Sequence, residues 1–444
     1  MSWKKTKLKD LGWVRSAGVN KLSDSNQKQI RLLNYMDVYR NQKISNEIDF
    51  QIVTAKDAEI KNANLEIGDI LFTPSSEKPT DIGHAGIVVE DLPNTVYSYH
   101  LVRFRPDDAK KFNPHFLAYA LNSFSSEKHF ITRATGTTRY TLSKSDFHSL
   151  EFEYPENPNE QTAIATLLSK VDEAIEATKN GIKAAEKLKK ALMQNLLTGK
   201  LKPDGTWRTE DEFYEDEKFG KVPVGWQIIK GNKITDKITK GQSPKWQGFE
   251  YQDSGILFVT SENVRDGYIE VDSPKYLPIE FHNKIKNSQL QKGDILINIV
   301  GASIGRCAVF NLDVQYANTN QAVCVFRPKE ENDSDFLAYY IQNGYTQQRL
   351  LGNQVETARA NLSLGDFRKF KFVIPETKDE QIHIADKLNE VNFTIQSKQT
   401  KIQTLQRLKK TLMQNLLTGK VRLPEGFIAQ FESTVEVNHK IEIA

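Results

Sequence analysis

Two short stretches of this chain carry residue types that could do chemistry. Asn113-Pro-His-Phe116 approximates the Asn-Pro-Pro-aromatic signature with which adenine methyltransferases hold an extruded base. Pro203-Asp204 followed by Asp216-Glu-Lys218 fits the loose pattern of metal-dependent nucleases, in which two carboxylates hold magnesium and a lysine supports the attacking water. Neither develops into a site. The first lacks the second proline and has no glycine-rich loop for a methyl donor beside it; the second lies in an acidic, turn-rich stretch rather than on paired strands. The motifs G-x-x-x-x-G-K-[ST], G-x-S-x-G and H-E-x-x-H are absent, and the eight histidines are scattered. Cys307 and Cys324 are too few for a four-cysteine zinc site or a disulfide framework. The expectation is a chain with no catalytic residue, no metal ligand and no cofactor of its own.

What recurs instead is side chains suited to the edges of base pairs, set in glycine-bearing loops between short β-rich runs. In the second half these are Lys240, Gln242, Ser243, Lys245 and Trp246, then Ser303 and Arg306, Asn318 and Asn320, and Arg359 with Asn361. The first half offers Lys78 in Ser75-Ser-Glu-Lys78, and Arg133, Thr137, Thr138 and Arg139 in Arg133-Ala-Thr-Gly-Thr-Thr-Arg139. Guanidinium and amide groups pair bidentately with guanine and adenine edges, while lysines and backbone N–H groups seat phosphates. Such loops also occur as plain solvated turns. Global charge does not decide between the two, because 60 Lys and Arg against 57 Asp and Glu leave only +3. That balance suggests that much of any phosphate binding comes from partners.

The elements that must position these loops are written twice. Lys187-Leu-Lys-Lys-Ala-Leu-Met-Gln-Asn-Leu-Leu-Thr-Gly-Lys200 recurs 220 residues later as Arg407-Leu-Lys-Lys-Thr-Leu-Met-Gln-Asn-Leu-Leu-Thr-Gly-Lys420. The same offset pairs Glu160-Gln161 with Glu380-Gln381 and Phe116-Leu-Ala-Tyr119 with Phe336-Leu-Ala-Tyr339, and Gly68-Asp-Ile-Leu71 returns as Gly293-Asp-Ile-Leu296. This is too long a period for a solenoid, so it is tandem duplication of a domain plus a helix. The repeat also assigns Asn113, since its counterpart is Asp333 and both are polar residues that cap the helix continuing Leu-Ala-Tyr. Before each repeated ending, apolar residues advance by threes and fours. Ile164, Leu168, Val171, Ile175, Ile182, Leu188 and Leu192 form one seam; Ile384, Leu388, Val391, Ile395, Ile402, Leu405, Leu408 and Leu412 form the other. Each predicted helix is about 57 Å long, and the obvious cover for so long a stripe is the other copy. A duplicated reader held apart by a rigid spacer suits two DNA half-sites.

The expected order is therefore α+β domains at 1–155 and 223–375, helices at 156–200 and 376–422, an exposed acidic linker at 201–222, and a tail at 423–444. The 39% hydrophobic content supports packed cores, and no apolar run approaches the roughly 20 residues of a membrane span. The first residues have no apolar stretch of a secretion signal, and a reduced, cytoplasmic protein is expected.

Taken together these features resemble the specificity subunit of type I restriction-modification systems. The resemblance covers nearly the whole chain and rests on the two endings Leu192 to Lys200 and Leu412 to Lys420, on Gly-Asp-Ile-Leu in both halves, and on Gly301-Ala-Ser-Ile-Gly305 with Asn318-Thr-Asn-Gln-Ala322. It implies two target recognition domains separated by long antiparallel coiled-coil helices, with pseudo-two-fold symmetry. It implies a non-catalytic reader of a bipartite, asymmetric double-stranded DNA site. The partners it implies are two modification subunits that methylate adenine with S-adenosylmethionine, and restriction subunits that use ATP and magnesium. The first half departs from the pattern, with Pro79-Thr-Asp-Ile-Gly83 for Gly301 to Gly305 and Ser98-Tyr99 for Asn320-Gln321, which points to a different half-site. The alternative is a coiled-coil scaffold whose globular halves bind protein or carbohydrate.

Overall fold

The computed structural model describes residues 3–21, 24–108, 111–352 and 361–431. The chain divides into two units, one made of residues 1–179 with 400–444 and the other of residues 180–399. Each unit contains one globular half and one half of each long helix, Pro158–Leu196 and Lys378–Leu416.

In the first unit, the strand Trp3–Lys7 pairs antiparallel with Glu151–Pro155. A five-stranded sheet runs in the order Gly12–Arg15, Val102–Pro106, Ile70–Phe72, Ala85–Val88, Lys43–Ile44. Beside it, Lys28–Leu33 pairs antiparallel with Gln51–Ala55 and parallel with Thr95–Tyr97. The second unit repeats this plan. Trp226–Lys230 pairs with Lys371–Pro375, and a four-stranded sheet runs Thr235–Lys240, Val323–Pro328, Ile295–Asn298, Cys307–Val309. Ile256–Val259 again lies between an antiparallel neighbour, Lys275–Leu277, and a parallel one, Ala317–Thr319. Both halves are α+β, with the short helices Pro114–Leu121 and Ser334–Gln342 buried against the sheets.

The repeated residues are the ones that hold this plan together. Asn113 and Asp333 cap their helices, accepting from the N–H of Phe116 at 3.1 Å and Phe336 at 2.8 Å. Their own N–H groups donate to Gln161 and Gln381, each at 2.9 Å, and the same amides donate to the carbonyls of Pro155 and Pro375. Each glutamine thereby ties the start of a long helix to its domain. Asp69 of the first Gly-Asp-Ile-Leu accepts both Nε and Nη2 of Arg105 at 2.6 Å, and Asp294 of the second accepts the same pair from Arg327 at 2.6 and 2.8 Å. Fork-to-carboxylate pairing of this kind fixes two strands in register where neither charge reaches water alone.

The seams are mostly hidden. Ile164, Leu168, Val171 and Ile175 are buried in the first unit, with Ile402, Leu405 and Leu412 half-buried; Ile384 and Leu388 are buried in the second, with Ile182, Leu192, Val391 and Ile395 half-buried. Two seam positions are corrected. Leu188 is 52% exposed and Leu408 45% exposed, and in both places the next residue takes the inner position. The Lys189 ammonium lies 5.9 Å from the Tyr339 ring and the Lys409 ammonium 5.4 Å from the Tyr119 ring, with Lys409 also paired to Asp172 at 2.7 Å. A tyrosine at this level offers an aromatic face and a hydroxyl, which suit a lysine stem better than a leucine.

The stretch at 201–222 is not the exposed linker expected of it. Leu201 bridges to Trp207, Phe213–Asp216 pairs with Gly220–Pro223 as a hairpin, and Val222 is buried in the second unit's core. Arg208 closes the arrangement by donating to the Glu380 carboxylate at 2.6 Å and to the Gly199 carbonyl at 2.7 Å. Spaced among the acidic residues, Leu201, Phe219 and Val222 form an apolar face that the charge run conceals.

Candidate nucleic-acid interface

Strand ends of the second unit converge on one edge. Gly241, just after Thr235–Lys240, donates its N–H to the Asn320 carbonyl at 3.1 Å. A Cβ there would lie 1.8 Å from the Thr319 carbonyl oxygen, so the loop can pass only as glycine. Asn320 in turn donates its N–H to Val259 at 3.3 Å, at the end of Ile256–Val259. Asn298, buried at the end of Ile295–Asn298, holds the Ser261 carbonyl at 2.9 Å and the Ser303 hydroxyl at 3.1 Å. Ile299 donates to Ala322 and Leu362 donates to Ile299, each at 3.0 Å, which brings in Asn361 beside Val300.

Lys240, Gln242, Ser243, Lys245, Trp246, Ser303, Arg306, Asn320 and Asn361 thus share an edge. Lys240, Lys245, Trp246 and Asn361 are exposed there, and the others are half-buried. Arg306 leans toward Asp266, 3.9 Å away. Asn318 is a correction. It is fully buried, its Oδ1 2.7 Å from His282 Nδ1 and its Nδ2 donating to Ser288 Oγ at 2.6 Å. A buried imidazole needs a partner, and this amide is committed to supplying it rather than facing a base. Arg359 lies outside the described residues.

The first unit builds the corresponding edge from different side chains. Val19 donates to Tyr97 at 2.8 Å and Tyr99 donates back to Val19 at 3.1 Å, while a Cβ on Gly18 would lie 2.4 Å from the Ser98 carbonyl oxygen, repeating the Gly241 approach. The strand pair Ser75–Ser76 and Tyr140–Thr141 carries Lys78 on one side and Thr137, Thr138 and Arg139 on the other, all exposed, with Arg139 donating to Ser75 Oγ at 3.2 Å. Arg133 is not drawn into this edge. Its guanidinium caps the His129 carbonyl at 3.3 Å, in a hollow also lined by Lys5, Lys7 and Glu151.

Several residues join this first edge without a local sequence signal. The Asp81 carboxylate receives the Tyr39 hydroxyl at 3.0 Å and lies 2.8 Å from His84 Nε2, and the Tyr35 hydroxyl donates to the Ser75 carbonyl at 2.7 Å. His100 titrates below the ordinary histidine range, first through burial and then through the positive charges of Lys21 and Arg139. Those charges are far apart in sequence, and only the fold reveals their concentration. The edge thus carries Lys21, Lys78 and Arg139 together with the Asp81 carboxylate.

The two carboxylates of the nuclease-like pattern do other work. Asp204 accepts the N–H and hydroxyl of Thr206 at 2.8 and 2.7 Å, and Asp216 accepts the N–H groups of Lys218 and Phe219 at 2.8 and 2.9 Å. Both close turns. Among the described residues no group of His, Cys, Asp and Glu is placed to hold a metal ion, and no helix is long and apolar enough to cross a membrane.

The family model for the type I restriction modification DNA specificity domain matches residues 1–187 and again 223–407. The type I restriction enzyme MjaVIII specificity subunit of Methanocaldococcus jannaschii is 26% identical over 313 residues, covering 69% of this chain and 70% of that protein. The putative MjaX specificity subunit of the same organism is 26% identical over 379 residues, covering 83% and 82%. Among solved structures, the type I restriction-modification S subunit from M. genitalium shares the fold at a TM-score of 0.54 and 16% identity, over 94% of this chain and 96% of that one. A type I R-M chain solved in work on complex assembly and conformational transition gives 0.56 at 15% identity, over 94% and 98%. With a twice-matched domain, a repeated frame and two loop edges of differing composition, the chain belongs to the type I restriction-modification DNA specificity family, as a DNA-recognition subunit rather than an enzyme.

Proposed function

We propose that the two units read the two halves of one split, asymmetric site in double-stranded DNA, one loop edge to each half. The observation that carries this reading is that the same strand plan and the same buried ties occur twice, while the side chains on the two loop edges differ. A frame built twice with different contents is what two different half-sites require.

The long helices, on this reading, form an antiparallel coiled coil about a pseudo-two-fold axis and set the length of unread DNA between the halves. The pairings within the first unit support it: Glu160 near the start of one helix meets Arg422 just past the end of the other, and Asp172 meets Lys409 further along. Seven residues inserted at 179/180 and seven at 399/400 keep the seam in phase and lengthen each helix by about 10.5 Å, so the preferred spacer grows by about three base pairs. An unchanged spacer contradicts the ruler.

Catalysis belongs to partners that this chain scaffolds: two modification subunits that methylate adenine with S-adenosylmethionine, and restriction subunits driven by ATP with magnesium. The exposed leucines at matching positions, Leu188 and Leu408, suit two copies of one partner. The test is binding by the complex of this chain with its methyltransferase subunit at fixed moderate salt. A cognate duplex is expected to bind roughly a thousandfold or more tighter than a scrambled one, and no preference refutes the reading.

A further inference from the structure

Trp246 is the most exposed large apolar side chain among the described residues, at 82%. It sits on the short turn Lys245–Gln247 of the second unit's loop edge. A lone exposed indole is ordinary on a protein surface; what sets this one apart is its place on a reading loop with a braced base and lysines near it.

The turn beneath it is braced from several sides. Pro244 is buried at its start and accepts the N–H of Phe249 at 3.0 Å; Gly248 ends it in the left-handed region at φ 79°. The Gln247 amide donates to Gln242 at 2.7 Å, and Lys284 donates to the Gln247 carbonyl at 3.3 Å. Phe249 then packs edge-on against the buried Phe281, with ring centres 5.5 Å apart. The indole therefore projects from an anchored base and does not fold back onto the protein. Lys245 precedes it in the chain, Lys284 holds the turn through Gln247, and Lys240 ends the strand that leads into the loop; all three are exposed.

An apolar ring on a stiff post between lysines is suited to one kind of cover: lysines seat the phosphates on either side, and the ring enters the stack between them. We propose that Trp246 is a wedge that inserts between adjacent base pairs of the DNA held by the second unit, stacking on one base and partly unstacking the step. This deepens the DNA-recognition reading and rests on it. Unstacking is easiest at pyrimidine–purine steps, so the wedge makes the second half-site selective for TA or CA/TG at a position where no hydrogen bond is needed. In the first half the offset of 223 that relates Gly18 to Gly241 places Ser23 opposite Trp246, so the wedge is assigned to the second half.

The experiment uses the full chain in complex with its methyltransferase subunit, and duplexes carrying the motif that the complex methylates, with 2-aminopurine replacing single adenines across both halves. Binding of the wild-type complex should raise 2-aminopurine emission severalfold at one step of the second half-site. Trp246→Phe should keep that signal, and Trp246→Ala should lose it and bind roughly 5- to 150-fold more weakly, the loss expected for one stacked base. Being on the surface, the substitution leaves the fold intact and the first half-site's emission unchanged. Equal binding and emission in Trp246→Ala overturns the wedge while leaving the recognition reading in place. Release of the methyltransferase subunit from Trp246→Ala also overturns it, by assigning the indole to a protein contact. A wild-type complex indifferent to DNA sequence overturns the wedge and the reading beneath it together.

Discussion

The two units share a skeleton but satisfy it differently. Around the repeated aspartates, the second unit pairs the buried Asp294 with the half-buried Arg327. The first has Asp69 with Arg105 and also the buried Arg103, 3.9 Å from Asp69, its guanidinium 4.9 Å from the Trp13 ring and bonded to the Asn64 carbonyl. At the starts of the long helices, Glu160 is held by Arg422 through two bonds of 2.6 Å, whereas Glu380 takes both Arg208 and the Trp226 indole N–H at 3.0 Å. The Trp3 indole N–H, the counterpart of Trp226, has no partner among the described residues. Under the helices, Tyr119 donates to the charged Asp172 at 2.7 Å, while Tyr339 donates to the neutral Asn389 at 2.6 Å. Duplication has fixed where polar groups must be buried and left each copy to find its own partners for them.

Breaking the aspartate pairs should have the largest effect. Asp294→Ala removes the carboxylate from the half-buried Arg327 guanidinium and is expected to cost the second half about 1–3 kcal/mol. Asp69→Ala takes a carboxylate from the buried Arg103 and from Arg105, which keeps Glu66, and should cost the first half more. Hydrogen exchange resolved to each half measures both, and an equal or smaller loss for Asp69→Ala would show that Arg103 is held by Trp13 and Asn64 without the carboxylate.

The tyrosines sharpen the contrast. A hydrogen bond to a charged group contributes about 1.5–3 kcal/mol and a neutral one about 0.5–1.5, so Tyr119→Phe should destabilise more than Tyr339→Phe. Thermal denaturation of the two variants decides it, and the reverse order would mean that Lys409 alone satisfies Asp172. The indoles make the same contrast. Trp226→Phe gives up a bond to Glu380, whereas Trp3→Phe gives up none, and a gap of about 1.5–3 kcal/mol between them is expected. No gap would place an unseen partner on Trp3. Smallest of all, Lys240→Ala should weaken DNA binding about equally across sequences and lower the salt slope by roughly one; a change in the preferred motif instead would make Lys240 a base reader.

Much of this frame was legible because the sequence states it twice. Repetition singled out Glu160-Gln161, Gly68-Asp-Ile-Leu71 and the Leu-Leu-Thr-Gly endings before any geometry, and it correctly reduced Asn113 to a helix cap. It did not reveal what each repeated group bonds to, because Arg422 and Arg208 lie in stretches that look unlike each other. Periodicity placed Leu188 and Leu408 inward because it counts apolar residues and cannot see the tyrosines that favour the neighbouring lysines. Composition hid the hairpin at 213–223, whose few apolar residues are outnumbered by charges. On the loop edges, residue type found the exposed lysines and Trp246 but also selected Asn318, since an amide that reads a base and one that satisfies a buried histidine look the same in a sequence.

Whether each unit's edge reads its own half of the site is decided by methylome sequencing of a host carrying this chain and its methyltransferase, before and after residues 223–375 are replaced by the matching segment of a relative. The expected result is a split, adenine-methylated motif of which one half changes and the other stays. A motif that changes in both halves, or methylation that does not depend on this chain, would contradict it.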